Sequence, residues 1–274
     1  MSTQPSWRQV WEGKSKEDVP DFVLDRGVSR SAQEVEVLSE RELVDFVSPK
    51  DSETLLDVGC GTGVNLVRFH SRVRKIIGLD YTLGSLERCQ NRIQTHCIQN
   101  ARICLASATA IPLPDCSVDR ILCVSVLQYL SDIEVGQALR EFVRVLAPGG
   151  TIILHVKNLS SIYWTTLRAA KKVKTLLGRP TQCYNLRPFG WYMKQLANLN
   201  CSIQDYNSFN LLVIDGMPAS LLSILQKFEF KHLNNCAGWL PFVRRHGADL
   251  KIKATAGVSR IEPGSSAATP PLTA

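Results

Sequence analysis

Three glycines and two carboxylates carry the densest chemistry in this chain. Residues Thr54–Gly63 read TLLDVGCGTG, and KIIGLD follows at Lys75–Asp80. A short apolar run holding Asp57 breaks into Gly59, Gly61 and Gly63, with Cys60 inside the turn. Glycines at alternate positions let the backbone turn through conformations a Cβ forbids and let a ligand lie on the main chain. A small residue where the turn enters a helix allows close helix–strand packing. Asp80 ends the second apolar run 23 residues after Asp57, near the roughly 20 expected of an acid that accepts ribose hydroxyls. Strand, glycine turn, helix, strand and acid form the frame in which an α/β sheet holds an adenosine-containing cofactor.

The spacing departs from the dinucleotide fingerprint GxGxxG, in which a pyrophosphate rests on the helix N-terminus. Here the third glycine comes one residue early, and Val64 takes the later position. Asp57 stands just before the turn, placed to meet a cationic amino group. Both details suit a cofactor with an amino-acid moiety and no phosphates. The glycine turn alone is also compatible with a structural βα turn in any α/β protein.

The elements that must hold these residues follow from hydrophobic patterning. Strands are expected at Thr54–Val58, Lys75–Asp80, Arg102–Ala106, Asp119–Ser125 and Thr151–Val156, with helices at Gly63–Arg72, Ser85–His96 and Ile133–Leu146. Pro148, Gly149 and Gly150 stop the third helix. Strands alternating with helices predict a parallel sheet covered on both faces. The rhythm breaks at an insertion, 158–188. A helix (Phe189–Leu199), a strand (Ser202–Phe209), a helix (Pro218–Phe230) and a strand (Leu250–Ala254) follow. Residues 1–50 read as a helical N-terminal cap segment, with a surface helix at Ser31–Phe46 preceded by Trp7, Trp11 and Phe22. The main domain spans 51–256, and 257–274, rich in Ser, Pro, Ala and Gly, reads as a disordered tail.

From Thr54 onward the chain resembles the class I S-adenosylmethionine-dependent methyltransferases. DVGCGTG resembles their first motif, and GLDYTLGSLERC the segment after the second strand. LASATAIPLPDCSVDRILCVSVLQYLSD and EFVRVLAPGGTIIL follow in family order, and RRHGADLKIKA resembles the closing helix and last strand. The resemblance covers about Thr54–Ala254. It implies a Rossmann-like, seven-stranded, mostly parallel sheet with helices on both faces and the last strand antiparallel. It implies S-adenosyl-L-methionine as cofactor, held by Asp57, Gly59, Cys60, Gly61, Gly63, Asp80, Tyr81, Ser107, Ala108 and Ser125. It also places Gln128 and Tyr129, after the fourth strand, on the acceptor side. One departure stands out. Much of the family carries an acid before the alanine of the third motif, where this chain has Ser107 before Ala108.

Composition sets the remaining bounds. With 274 residues, 45% apolar and 21% charged, the chain suits one α/β domain with additions. The polar N-terminus lacks the apolar core of a signal peptide, and no run nears the ~18 apolar residues of a spanning helix. The nine cysteines form no CxxC pair, which fits a reducing, cytoplasmic setting. Cys60 reads as a packed small hydrophobe or a reactive thiol. The five histidines are dispersed, so no metal site is expected.

The net charge of +7 is unevenly placed. Phe142–Gln204 holds no acid but nine cations: Arg144, Lys157, Arg168, Lys171, Lys172, Lys174, Arg179, Arg187 and Lys194. Ser161–Gly178 has apolar residues at helical spacing with cations between them, a basic amphipathic helix. It reads as a solvated face, as a lid placing Tyr163, Lys171 and Lys172 over an anionic substrate, or as a contact with an anionic membrane surface on the way to a lipid-linked substrate. No nucleic-acid module accompanies the charge.

Methyl transfer to a small molecule is the expected activity, to an oxygen of a sugar, lipid or natural-product scaffold. Candidate bases are Tyr129 and His155, then Tyr163, Tyr184 and His246. Two other readings remain: a non-catalytic methyltransferase-like partner subunit, and an NAD-dependent oxidoreductase, which the GxGxG spacing disfavours.

Overall fold

The structure, a computed structural model, describes residues 6–17, 41–161, 163–165, 167–168, 184–209, 224, 228 and 243–257. Seven strands form one sheet in the order β3-β2-β1-β4-β5-β7-β6. They are β1 (Thr54–Val58), β2 (Lys75–Asp80), β3 (Ala101–Leu105), β4 (Val118–Val124), β5 (Leu146–Lys157), β6 (Cys201–Phe209) and β7 (Asp249–Ala256). β7 runs antiparallel to both β5 and β6, and the remaining pairs are parallel. The seven-stranded, mostly parallel sheet and its antiparallel last strand match the expectation.

The described helices are α1 (Trp7–Ser15), α2 (Val64–Phe69), α3 (Leu83–Thr95), α4 (Asp132–Val145), α5 (Phe189–Asn198) and α6 (Val243–His246). Residues 41–47 are also helical. Alternate residues of the central strands enter two cores. Leu56, Val58, Ile121 and Ile152 pack with Val135, Leu139 and Phe142 of α4. Leu55, Ile76, Leu122 and Ile153 pack with Leu66 and Phe69 of α2 and Leu86 and Ile93 of α3. All five residues of β1 are buried, as a central parallel strand covered on both faces requires. Leu43 and Val47 join the second core, so the end of the expected surface helix packs inward. The rest of that segment, the expected helix Pro218–Phe230 apart from 224 and 228, and most of the 158–188 insertion lie outside the described residues.

The boundaries of α4 and β5 differ from expectation for local reasons. α4 starts at Asp132, because Ser131 caps it and Glu134 returns the bond, a capping box. It ends at Val145, and β5 begins at once: Leu146 pairs with Val118, and the register then shifts so that Thr151 pairs with Arg120. Pro148, Gly149 and Gly150 thus form an irregularity within β5 rather than a loop before it. Gly149 adopts φ 74°, and a Cβ on Gly150 would meet the Asp119 carbonyl at 2.8 Å.

Candidate cofactor and acceptor site

Strand order reverses direction at β1, with β2 on one side and β4 on the other. In open α/β sheets the crevice beyond the strand ends at such a switch point is where ligands bind. The glycine turn leaves β1 at this place. Gly59, Gly61 and Gly63 all adopt positive φ, at 73°, 53° and 85°. A Cβ on Gly59 would run into the Val126 side chain, and one on Gly63 would lie 2.6 Å from Cys89 Sγ. The first glycine therefore lets the turn pass the chain leaving β4, and the third lets it enter α2 beside α3.

The turn is fixed to the end of β2. The Gly59 and Cys60 amides donate to the Leu79 carbonyl at 2.7 and 3.0 Å. The Gly61 amide donates to Asp80 Oδ2 at 3.0 Å, and the Thr82 amide to Asp80 Oδ1 at 2.8 Å. Asp80 is buried. Burial pushes its carboxyl upward, and the bonds from Thr82 and Gly61 oppose that shift. The Thr82 side chain and the Tyr81 amide bond to the same carboxylate.

Asp57 is fully buried at the end of β1 and accepts from Asn65 Nδ2 at 3.4 Å. Cys60 is buried, and its thiol is pushed well up, first by a hydrogen bond with Cys89 and then by burial. A thiol held neutral is a packing group rather than a nucleophile. Tyr81 is half-buried, and burial moves its hydroxyl to about 12. Past β3, the Ala106 amide donates to the Asp80 carbonyl at 2.9 Å, which brings Ser107 and Ala108 to the β2 end. The Ser107 hydroxyl is engaged locally, 2.8 Å from Thr109 Oγ1.

On the β4 side, Ser125 takes φ 56°, uncommon for a residue with a side chain, and its amide donates to the His155 carbonyl at 2.8 Å. Strain of this kind concentrates at functional sites. The 3-10 turn Leu127–Tyr129 follows. Gln128 is buried, and its Oε1 has no hydrogen-bond partner among the described residues. Burial, then Tyr184, pushes the Tyr129 hydroxyl well above its ordinary range, and the Gln128 amide partly offsets this. The Tyr129 hydroxyl is therefore neutral at pH 7.

Rings from two segments gather on Tyr129. Trp7 and Trp11 of α1 lie 4.8 and 5.6 Å from it between centroids, and Tyr184 lies 5.7 Å away. Trp164 meets Tyr184 at 5.6 Å and Tyr163 at 4.9 Å. Arg187 holds this arrangement together. Its guanidinium donates to the carbonyls of Leu127, Leu130 and Asn185 and to Asp132 Oδ1, at 2.7–2.9 Å. α1 is anchored at its far end, where Arg88 Nε donates to the Ser15 carbonyl at 3.1 Å and Gly84 lies against Ser15.

The remaining expectations divide. His155 Nε2 lies 3.7 Å from Asp249 Oδ1, and Lys157 also pairs with that oxygen. Burial lowers the His155 pKa, keeping the ring neutral. It belongs to an ion network between β5 and β7, as a packed histidine would. His246 ends α6, ahead of β7. The cationic stretch is less solvated than its charges imply: Arg144 pairs with Asp115 and Glu141, Lys157 with Asp249, and Arg187 with Asp132. Lys171 and Lys172 lie outside the described residues. Among the described residues no helix is long and apolar enough to cross a membrane.

The comparisons with known proteins agree with this geometry. Residues 55–150 match the family model described as methyltransferase domain. The chain is 33% identical over 120 residues to a malonyl-[acyl-carrier protein] O-methyltransferase of Serratia marcescens, covering 44% of each. It is 30% identical over 146 residues to a ubiquinone/menaquinone biosynthesis C-methyltransferase of Hahella chejuensis, covering 51% of this chain and 54% of the relative. The chain thus spans about half the length of the curated relatives it matches. A solved structure of Haemonchus contortus phosphoethanolamine N-methyltransferase 1, with phosphoethanolamine and S-adenosylhomocysteine, shares the fold at TM-score 0.62 and 17% identity, over 94% of this chain and 50% of that one. The glycine turn, the acid that holds it and the sheet around them place this chain in the class I S-adenosylmethionine-dependent methyltransferase fold, with a methyltransferase domain at residues 55–150.

Proposed function

We propose that the protein transfers a methyl group from S-adenosyl-L-methionine to a small molecule. The observation that carries this reading is the bond from the Gly61 amide to Asp80, which joins a side-chain-free turn and a buried acid at the sheet's switch point. That cradle fits the cofactor on three counts. The positive-φ glycines leave backbone open to a ligand. Asp80 sets a buried carboxylate at the end of β2, at the spacing of an acid that meets ribose hydroxyls. Asp57 supplies a buried carboxylate where an amino-acid group would lie.

On this reading Asp57, Gly59, Cys60, Gly61 and Gly63 line the amino-acid and ribose side. Asp80 and Tyr81 read the ribose, Ser107 and Ala108 border the adenine, and Ser125 closes the β4 side. Gln128 and Tyr129 face the acceptor. When bound, the cofactor supplies an electrophilic methyl group on a sulfonium. The chain's part is to align a nucleophile with that methyl and exclude water. The Tyr129 hydroxyl, neutral and adjoining Gln128, can donate to the acceptor and orient it. α1 covers the crevice, with Ser15 against α3 and Trp7 and Trp11 over Tyr129.

The acceptor is proposed to react through an oxygen. The test is incubation with S-adenosylmethionine labelled at the methyl group and a panel of hydroxyl, amine and carbon acceptors. Label entering an acceptor supports the reading. Cofactor binding with no transfer to any acceptor favours the partner-subunit alternative.

A further inference from the structure

We propose that α1 is a lid over the cofactor crevice, hinged where Ser15 meets Gly84 and latched by the packing of Trp7 and Trp11 on Tyr129 and Tyr184, and that this lid lifts for the cofactor to enter or leave. The proposal rests on the cofactor reading above and adds how access to that site is controlled.

α1 bridges the two sides of the switch point. At its last turn Ser15 lies against Gly84, and Arg88 donates to the Ser15 and Glu17 carbonyls. Farther along, Glu12 Oε1 accepts from the Leu83 amide at 3.4 Å. At its start, Trp7 meets Tyr129 and Tyr184 at 4.8 and 5.4 Å between centroids, and Trp11 meets Tyr129 at 5.6 Å. Leu83 and Gly84 closely follow Asp80 at the end of β2, and Tyr129 closely follows Ser125 at the end of β4. β1 and its glycine turn lie between those two strand ends, so a helix touching both spans the turn.

Two features let α1 move as a unit. Its ends are satisfied within the helix: Ser6 and Gln9 form a capping box, and the Lys16 amide donates back to the Gly13 carbonyl. Its attachment is also thin. Ser15 is the only buried residue of α1, and among the described residues neither core draws on this helix. An element outside the cores, held by a few surface contacts, opens at a lower free-energy cost than the cores do.

The latch and its seat differ in firmness. The rings pack directly on one another, Trp7 nearly parallel to Tyr184 at 10°, and hold the closed state by contact alone. The seat beneath them is hydrogen-bonded. The Asn185 amide donates to the Gln128 carbonyl at 2.9 Å, and Arg187 donates to the Leu127 and Leu130 carbonyls. Opening therefore moves α1 and leaves the turn after β4 in place. No latch residue is among those assigned to the cofactor, so loosening the latch speeds entry and exit alike and leaves affinity nearly unchanged.

The test combines amide hydrogen exchange with stopped-flow binding of S-adenosylhomocysteine, on the full chain and on Trp7→Ala, Trp7→Phe (a ring kept) and Trp11→Ala. Circular dichroism confirms that each variant folds. Without ligand, the α1 amides should exchange ahead of those of β1 and α4, and ~10-fold faster still in Trp7→Ala, with β1 and α4 unchanged. S-adenosylhomocysteine should both associate and dissociate ~10-fold faster in Trp7→Ala, with Kd changed by less than ~3-fold. Trp11→Ala, which loses one ring contact instead of two, should show the same changes to a smaller extent, and Trp7→Phe should stay within ~3-fold of the parent rates. Exchange of α1 in step with β1, or binding rates unchanged in Trp7→Ala, would overturn the lid. Faster dissociation with unchanged association would make Trp7 a binding contact and would overturn it too. Failure of S-adenosylhomocysteine to bind even the parent, with the exchange pattern as expected, would instead overturn the cofactor reading and leave the lid standing.

Discussion

The Gly61 amide donates to Asp80 Oδ2 at 3.0 Å, so the turn after β1 and the acid ending β2 are one structural unit. Asp80 holds the Gly61 and Thr82 amides before any ligand arrives. Its replacement therefore acts twice. Asp80→Ala should weaken S-adenosylhomocysteine binding by at least ~100-fold and destabilise the fold by about 1–3 kcal/mol, because those amides lose their acceptor. Calorimetry and urea unfolding measure the two separately. Unchanged binding would remove Asp80 from the site.

Gly59 tests the contact across the switch point. A Cβ there meets Val126, at φ 73°. Gly59→Ala should cost about 2 kcal/mol or more, part of it from the clash and part from backbone strain. The double variant with Val126→Ala should recover the clash portion only. Full additivity of the two changes in a double-mutant cycle would show that the side chains do not meet.

Gly84 tests the cover. Its Cβ position is taken by Ser15, so Gly84→Ala should push α1 off α3 without entering either core. Global stability should change by under about 1 kcal/mol, while S-adenosylhomocysteine affinity should fall ~5-fold or more. Ser15→Gly on top of it should restore affinity. Equal affinity throughout would mean that α1 merely packs on the surface of the domain.

Acid stability should report the β5–β7 ion network. Burial alone would raise the Asp249 carboxyl, but Lys157 and then His155 hold it well below its ordinary range. A depressed carboxyl contributes stability above its unfolded value, about 3.9, and loses it as pH falls further. His155 is lowered from 6.5 by burial, so the unfolded chain binds a proton that the folded chain refuses. Stability should therefore decline as pH drops below about 6.5 and fall again below about 4. Melting temperatures from pH 8 to pH 3 measure this. Asp249→Asn should flatten the lower fall and His155→Gln the upper one. Parallel curves for both variants and the parent would contradict the assignment.

Much of the fold was legible because local signals and topology agree. Buried parallel strands such as β1 and β4 read as apolar runs, and a glycine turn followed by an acid has few structural meanings. The start of β5 was missed because Pro148, Gly149 and Gly150 are breakers, and only the pairing of Leu146 with Val118 shows that the strand begins before them. The ring cluster was half-visible. Trp7 and Trp11 stood out as aromatics in a polar segment, but nothing local ties them to Tyr129, more than a hundred residues on. Arg187 was counted among the insertion's charges. Its burial follows from one acid, Asp132, and the Leu127 and Leu130 carbonyls, which only folding brings to it.

The central claim is tested most directly by thermal unfolding of the protein with S-adenosylhomocysteine and, in parallel, with NAD. At ~100 times its dissociation constant a ligand adds about 2.7 kcal/mol to stability. Stabilisation by S-adenosylhomocysteine and not by NAD, lost in Asp80→Ala, is the predicted result. Stabilisation by NAD alone, or by neither, would contradict the account.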